Sequence, residues 1–165
     1  MHTRLIKPRH GPELLVRPLR CGDVATVLAV FERLGDESRR ARFHGPKPCL
    51  SSAELEQLAK VDHSHHALVA YVEGDPQPVA IARLARTDRA SAEIAFAVAD
   101  SYQHRGIGSA LAAELIADAR AAGITEITAL ASTDNPAALA LLRRTADVLD
   151  VCFEGPQLSI RAAIA

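Results

Sequence analysis

The sequence predicts a mixed α/β (α+β) domain with a mostly antiparallel sheet, one central parallel strand pair and helices on both faces. Three observations lead to this fold class. Short apolar strands separated by tight turns follow one another from 67 to 99, which is the pattern of an antiparallel meander. A glycine-containing loop then leads into an alanine-rich helix and a strand at 124–131, and this order favours a right-handed crossover with parallel pairing. Finally, Gly155-Pro156 separates two short apolar segments, which indicates a closing hairpin.

The length of the chain fits one domain with its own core. It has 165 residues, of which 48% are hydrophobic. Residues 1–12 are rich in Pro, Arg and His and are interpreted as a flexible lead-in, so the domain is expected to span 13–165. Within it, Asp23 is placed to cap a helix, and Ser51 with Glu54 forms a capping-box pattern at the start of another.

Composition excludes several functional classes. The formal net charge is -1, so no overall field attracts nucleic acid or an anionic membrane. No stretch approaches the ~18 apolar residues that a membrane helix needs, and the first residues lack the apolar core of a signal peptide. The 3 cysteines are widely spaced, which favours free thiols in a reducing compartment. We therefore expect a cytoplasmic protein without a nucleic-acid or membrane partner.

The segment 103–109 joins a strand end to a helix start and contains Gly106 and Gly108. Free backbone N–H groups at a helix N-terminus attract an anion, and glycine lets a phosphate approach the backbone closely. Arg105 could add a charge-assisted contact. The segment lacks the lysine of a P-loop, and Leu111 stands where a dinucleotide fingerprint has its third glycine. It therefore predicts a phosphate site of another kind, the alternative being a tight turn that binds nothing.

The pattern Gln103-x-x-Gly106-x-Gly108 resembles the Q/R-x-x-G-x-G/A signature of the GNAT superfamily of N-acetyltransferases, and the resemblance extends over 13–160. It implies the GNAT fold, with the parallel strands splayed for acyl-CoA, and acetyl-CoA as cosubstrate. The loop amides would bind the coenzyme pyrophosphate, the strand ending at Val98 would pair with the pantetheine arm, and Asn135 would face that arm. The implied coenzyme-binding residues are Val98, Gln103, His104, Arg105, Gly106, Ile107, Gly108, Ser109 and Asn135.

A narrower resemblance concerns the upstream part of the chain. The segment 34–43, Leu50-Ser51, and Val61-Asp62 before the strand at 67 resemble the Pat-type bacterial protein lysine acetyltransferases. This resemblance implies a protein lysine as the acceptor. Within it, Glu93 matches the strand glutamate that serves as catalytic base in those enzymes.

The chemistry of amine acetylation explains why a base is needed. A lysine has a pKa of about 10.4, so removing its proton near pH 7 costs roughly 4 to 5 kcal/mol. A carboxylate can take this proton directly or through water. Strand alternation places Ala95, Ala97 and Ala99 on the same face as Glu93, which suggests space kept for a ligand. The alternative is that Glu93 is a solvated charge at a strand edge.

Some positions depart from the GNAT pattern. Leu142 stands where many GNAT enzymes have a tyrosine that protonates the departing thiolate, and the sequence does not rank Tyr102 or Tyr71 as a substitute. Coenzyme A thiolate is a good leaving group, so an acid could be dispensable. The histidine-rich segment 62–66 lacks the ligand spacing of a zinc site, and no metal is expected. Arginines at 39, 40 and 42 could bind an acidic region of a partner or substrate, or could simply form a solvated helix face.

Together these observations predict an acetyl-CoA-dependent N-acetyltransferase. A primary amine, favoured as a protein lysine, attacks the thioester, Glu93 acts as general base, and the Val98 N–H polarises the carbonyl. Two alternatives remain open: acetylation of a small amine (a polyamine, amino acid or antibiotic), or a non-catalytic CoA-binding regulatory module. The oligomeric state, including a homodimer, is left open.

Overall fold

The computed structural model describes residues 3–164 as five α-helices and eight strands. The strands form one sheet in the order β1-β2-β3-β4-β5-β6-β8-β7. The strands are β1 Arg4–Ile6, β2 Leu14–Pro18, β3 His65–Val72, β4 Ala80–Arg86, β5 Ser91–Val98, β6 Glu126–Ser132, β7 Asp147–Glu154 and β8 Gln157–Ala163. The helices are α1 Val24–Glu32, α2 Asp36–Phe43, α3 Ser52–Leu58, α4 Ile107–Ala121 and α5 Pro136–Thr145, with a 3₁₀ turn at Asp100–Tyr102.

The sheet has the predicted mixed topology. Strands β2 to β5 form an antiparallel meander, β5 and β6 are parallel, and β7 and β8 close the sheet as an antiparallel hairpin beside β6. The crossover from β5 to β6 runs through α4, because parallel neighbours need a long connection. The predicted fold class, with helices on both faces, is confirmed.

Two apolar clusters hold the helices to the two faces of the sheet. The larger cluster lies under α4 and α5, where Ile107, Leu111 and Leu115 recur at helical spacing and are at most 1% exposed. The smaller cluster lies under α1 and α3 and includes Val27 and Val69. No helix among residues 3–164 is long and apolar enough to cross a membrane.

Local capping signals in the sequence produce the predicted helix starts. The Asp23 side chain accepts a hydrogen bond from the Thr26 N–H, and Ser51 and Glu54 form the reciprocal capping box. These interactions satisfy backbone donors that have no partner within the helix.

The N-terminal segment differs from the flexible lead-in expected for residues 1–12. Arg4–Ile6 forms β1, which pairs with β2 at the edge of the sheet. The Arg4 guanidinium donates to Glu114 at 2.6 Å and to Asp118 at 2.5 Å, so the strand is also held along α4. These partners are more than 100 residues away in the chain, so no local pattern reveals them.

The parallel pair is joined over only part of its length. Strand β5 pairs with β6 through three positions, from Ser91 opposite Glu126 to Glu93 opposite Thr128. Beyond Glu93 the two strands separate, while β6 continues to pair with β8 as far as Ser132. The sheet therefore contains an internal gap that opens toward the C-terminal end of β5.

Candidate active site

The wall of the gap on the β5 side presents backbone hydrogen-bonding groups. The Ala99 N–H donates to the Val79 carbonyl at 2.8 Å, on the β4 side. Because backbone groups alternate in direction along a strand, those of Phe96 and Val98 face the opposite side, toward β6. Pairing with β6 has already ended at this point, so these groups line the gap. The predicted role of the Val98 backbone is compatible with this direction.

The segment 103–109 connects β5 to α4 by a sharply turned backbone. His104 and Gly106 have φ values of 58° and 75°, and Gly106 is the N-cap residue of α4. The amides that follow are at the start of a 15-residue helix, where the helix dipole favours an anion. Residues His104, Arg105 and Gly106 are exposed, whereas the Ile107 side chain is buried, so Ile107 offers only its backbone.

The side chain of Gln103 stabilises the protein rather than extending into solvent. Its Nε2 lies 2.9 Å from Ser38 Oγ, 3.1 Å from the Val98 carbonyl and 3.2 Å from Asp100 Oδ1. It therefore links the end of β5, the 3₁₀ turn and α2. This link explains why an amide side chain suits the first position of the motif, a reason that the sequence pattern alone did not supply.

The glycines of the segment permit close packing as well as unusual φ values. A Cβ on Gly106 would lie 2.5 Å from the His10 carbonyl, so the N-terminal segment lies directly against the loop. A Cβ on Gly108 would lie 3.3 Å from the Leu141 side chain, where α4 approaches α5. Gly106 is thus required by the fold, Gly108 permits a tight approach of Leu141, and the sequence analysis did not anticipate the contact with His10.

Asn135 precedes α5, as predicted from the Asn135-Pro136 pair. It occupies the N-cap position, but its side chain makes no capping hydrogen bond. Its backbone N–H donates to the Ser132 carbonyl at 2.9 Å, at the end of β6. The amide side chain is therefore available for another partner, and its contact with the pantetheine arm stays a prediction.

Glu93 is exposed and lies at the last paired position between β5 and β6. Arg42, near the end of α2, lies close to it: burial lowers the pKa of the Arg42 guanidinium, and the charge of Glu93 opposes that change. A second arginine, Arg83 on β4, has its pKa lowered to about 10 by burial and by the charge of Arg42. Sequence analysis missed Arg83, although an arginine within an apolar strand is a signal that could have found it.

Both tyrosine hydroxyls are hydrogen-bonded to other side chains. The Tyr102 hydroxyl donates to Asp75 at 2.8 Å, and the Tyr71 hydroxyl accepts from Arg17 at 2.7 Å. Leu142, at the usual tyrosine position, is 2% exposed within the main core. Leu142 therefore offers no acid, and the Tyr102 proton is already donated to Asp75.

The histidines at 65 and 66 contact two different aspartates. His65 Nδ1 lies 2.8 Å from Asp62, and His66 Nε2 lies 2.9 Å from Asp118. Within residues 3–164, no group of three or more His, Cys, Asp or Glu side chains is arranged to hold a metal ion.

Comparison with known proteins identifies the class to which this fold and cleft belong. The family model described as "Acetyltransferase (GNAT) family" matches residues 30–146. The chain therefore belongs to the GNAT acetyltransferase family, and it carries an N-acetyltransferase domain. The predicted family and enzyme class are confirmed.

Individual relatives place the chain within the Pat-like part of this family. It is 36% identical over 143 residues to the acetyltransferase Pat of Mycolicibacterium smegmatis, covering 84% of this chain and 42% of that protein. It is 34% identical over 131 residues to an acetyltransferase of Pseudomonas aeruginosa, covering 77% of this chain and 70% of the relative. The chain thus spans less than half the length of the M. smegmatis relative.

Solved structures agree with this assignment. The GNAT domain of S. lividans Pat superimposes with a TM-score of 0.86 at 26% identity, covering 98% of this chain and 96% of that domain. At the level of the fold alone, the chain is also similar to a Salmonella typhimurium structure solved with its cofactor acetyl-CoA, with 17% identity and a TM-score of 0.69. That pair is matched over 92% of this chain and 94% of the other.

Proposed function

We propose that this chain transfers the acetyl group of acetyl-CoA to a primary amine, with a protein lysine as the favoured acceptor and Glu93 as the general base. The observation that carries this proposal is the position of Glu93. It is an exposed carboxylate at the point where β5 and β6 separate, on the same strand whose Val98 backbone faces the gap.

The coenzyme is held mainly by backbone groups in this proposal. The amides of 103–109 receive the pyrophosphate at the start of α4, where the helix dipole adds to the attraction. The free β5 edge pairs with the pantetheine arm, and the uncapped Asn135 amide faces the same arm. Arg105 is exposed beside the loop and adds a positive charge.

The groups around the gap account for the chemical steps of the acetyl transfer. Glu93 accepts a proton from the acceptor ammonium, directly or through a water, in a step that costs roughly 4 to 5 kcal/mol for a lysine near pH 7. The amine nitrogen then bonds to the thioester carbon, and the Val98 N–H stabilises the oxygen that becomes negative. The C–S bond breaks and coenzyme A leaves as the thiolate, without an acid from Leu142 or Tyr102. The second proton of the attacking nitrogen passes to water.

Two observations bear on the acceptor. The Pat-like relatives and the Pat-type pattern at 34–43 support a protein lysine. A small amine is the second candidate, because a spermidine N-acetyltransferase from Vibrio cholerae has the same fold, with 19% identity, a TM-score of 0.66 and coverage of 91% of this chain and 94% of that one. The two arginines near Glu93 disfavour a polycation, so we place the lysine first.

The cellular setting follows from surface features. All three cysteines, Cys21, Cys49 and Cys152, are exposed free thiols, which is typical of a reducing compartment. We therefore propose a cytoplasmic enzyme.

Calorimetric titration with acetyl-CoA, followed by an assay of thiol release, tests the proposed function. The acceptor panel contains lysine peptides, free amino acids and polyamines. We expect binding together with release for lysine peptides. Binding without release from any acceptor would favour a CoA-binding regulatory module, and release only with polyamines or amino acids would favour the small-amine enzyme. Absence of binding would contradict the proposal at its first step.

A further inference from the structure

A small pocket on the α1–α3 face of the sheet lies next to Glu93. Two arginines line it, Arg42 from the end of α2 and Arg83 from the middle of β4. The other lining side chains are apolar and include Phe31, Leu58 and Ile81. Charged groups are therefore placed among side chains that cannot solvate them, which is unusual unless a partner completes the arrangement.

The register of β4 and β5 puts Arg83 and Glu93 on one face of the sheet. Arg83 is opposite Ala95, and the next pair on the same face is Ala85 opposite Glu93. The two charged side chains are thus diagonal neighbours on adjacent strands. The remaining two positions of this square are the small side chains of Ala85 and Ala95.

The two arginine side chains at this pocket outnumber the neighbouring carboxylate, Glu93. Arg83 Nη1 is buried and has no hydrogen-bond partner among residues 3–164, and its Nη2 reaches only the Gln57 carbonyl at 3.4 Å. Burial and the neighbouring Arg42 lower the pKa of the Arg83 guanidinium to about 10. Glu93 is the one carboxylate whose charge acts on Arg42. Arg83 is only partly exposed and makes no ion pair in the described part of the chain, so an incoming anion would be stabilised here.

We propose that Arg42 and Arg83 form an anion subsite that binds a carboxylate carried by the acceptor close to its reacting amine. The inference rests on the proposed function, since it concerns the acceptor of the same reaction. A planar guanidinium matches a carboxylate through two parallel hydrogen bonds. With the carboxylate on the arginines, the ammonium group is directed toward Glu93. A polyamine lacks the anion and is repelled by both arginines.

Two sources could supply this carboxylate. It is the side chain of an acidic residue beside the target lysine of a protein, or the α-carboxylate of a free amino acid. Both present the same chemistry to the arginines, and matched acceptors distinguish them.

The experiment measures thiol release from acetyl-CoA with two acceptor pairs. One pair is a lysine peptide with a neighbouring Glu and the same peptide with Gln; the other is free lysine and lysinamide. For the original chain we expect kcat/KM to be about tenfold higher for the carboxylate member of one pair, since hydrogen bonds to charged groups contribute this much. The pair that shows the preference identifies the source of the carboxylate.

Substituted proteins test whether the two arginines cause the preference for a carboxylate-bearing acceptor. Arg83→Gln should reduce the carboxylate preference to about onefold, and Arg42→Lys, which keeps the charge but loses the planar fork, should reduce it partly. Arg89→Gln, an exposed arginine in the turn before β5, is the matched control and should keep the full preference. If Arg83→Gln does not fold, the Arg42→Lys result decides.

The outcomes separate this inference from the proposed function. Equal turnover within both pairs by the original chain would overturn the subsite and leave the transferase intact, and so would an equal loss of preference in Arg89→Gln. If no acceptor releases thiol, calorimetry of the same acceptors with the CoA-loaded protein decides. Tighter binding of the carboxylate member, lost in Arg83→Gln, would support the subsite while contradicting acetyl transfer; equal binding would overturn the subsite.

Discussion

The two faces of the sheet offer different groups to the ligands that we propose. On the α4 and α5 face, a large aliphatic core supports the loop 103–109, which offers mainly backbone amides to the proposed coenzyme. On the α1–α3 face, a smaller apolar cluster is interrupted by Arg42, Arg83 and Glu93. Backbone recognition suits a ligand shared by a whole family, whereas side-chain recognition suits an acceptor that differs between its members. The comparison teaches that the two sites should respond to different kinds of substitution.

The largest effect is expected from the acceptor face. Glu93→Gln should lower kcat by about 10² to 10⁴, because general-base catalysis typically contributes that much. The dissociation constant for acetyl-CoA should change less than twofold, since the coenzyme is held by the other region. Stopped-flow thiol release and calorimetry measure the two quantities. The control is Glu73→Gln, an exposed carboxylate in the turn between β3 and β4, which should leave both unchanged.

Unchanged turnover in Glu93→Gln would show that this carboxylate is not the base. If Glu93→Gln also lost coenzyme binding, the acceptor face and the loop 103–109 would not act independently. The contrast drawn between the two faces would then be wrong.

A smaller effect is expected from the coenzyme loop. Gly106→Ala places a Cβ 2.5 Å from the His10 carbonyl in a residue with a φ of 75°, so the loop must shift. Strain of this kind costs roughly 1 to 3 kcal/mol, and we expect the dissociation constant for acetyl-CoA to rise about tenfold by calorimetry. Gly74→Ala is the control, because Gly74 has a φ of 82° but a Cβ there meets nothing within 4 Å. It should lower the Tm without changing coenzyme affinity.

A result in which Gly74→Ala weakens coenzyme binding as much as Gly106→Ala would mean that general destabilisation, rather than loop geometry, controls affinity. A normal affinity in Gly106→Ala would remove the loop amides from the proposed site.

The smallest effect concerns the support of the loop. The Arg33 guanidinium donates to Asp75 at 2.6 Å and holds the pKa of that carboxyl well below its usual range, with help from the Gln77 N–H and the Tyr102 hydroxyl. A carboxyl with a lowered pKa stabilises the fold above its unfolded pKa of about 3.9, and this stabilisation is lost as the pH falls. Asp75→Asn should therefore lower the Tm by a few degrees at pH 7.

The Tm difference between the unsubstituted protein and Asp75→Asn should become smaller as the pH falls below about 4, because the Asp75 carboxyl then begins to lose its contribution to stability. Thermal unfolding from pH 7 to pH 3 measures this Tm difference. A Tm difference that stays constant or grows at low pH would contradict the assigned role of the Asp75 charge. Asp134→Asn, an exposed aspartate after β6, is the control.

Much of the fold could be predicted because its determinants are local. The capping box at Ser51 and the cap at Asp23 are short patterns whose geometry does not depend on distant residues. Strand alternation also placed Glu93 on a face with small side chains, and the parallel pair followed from the helix between its strands. These features depend on a few neighbouring residues, so they can be predicted from local sequence patterns.

The features that could not be predicted depend on long-range contacts. The pairing of β1 is fixed partly by Arg4 with residues of α4, and the hydroxyl of Tyr102 is engaged by Asp75 across a different turn. The approach of Arg42 to Arg83 joins a helix to a strand about forty positions away, and only the packing of α2 on the sheet reveals it. A pattern of residue types gives no distance between such groups.

The gap between β5 and β6 also affects how the free protein behaves in solution. Past Glu93 and Thr128 the sheet has unpaired edges in its interior, as if one strand had been withdrawn. Unpaired edges are templates for adding any extended chain, including a neighbouring copy. In the proposed complex, an acetyl-CoA molecule in the gap covers these edges in the way that an added strand would. We therefore expect the coenzyme-free protein to self-associate more readily than the loaded protein.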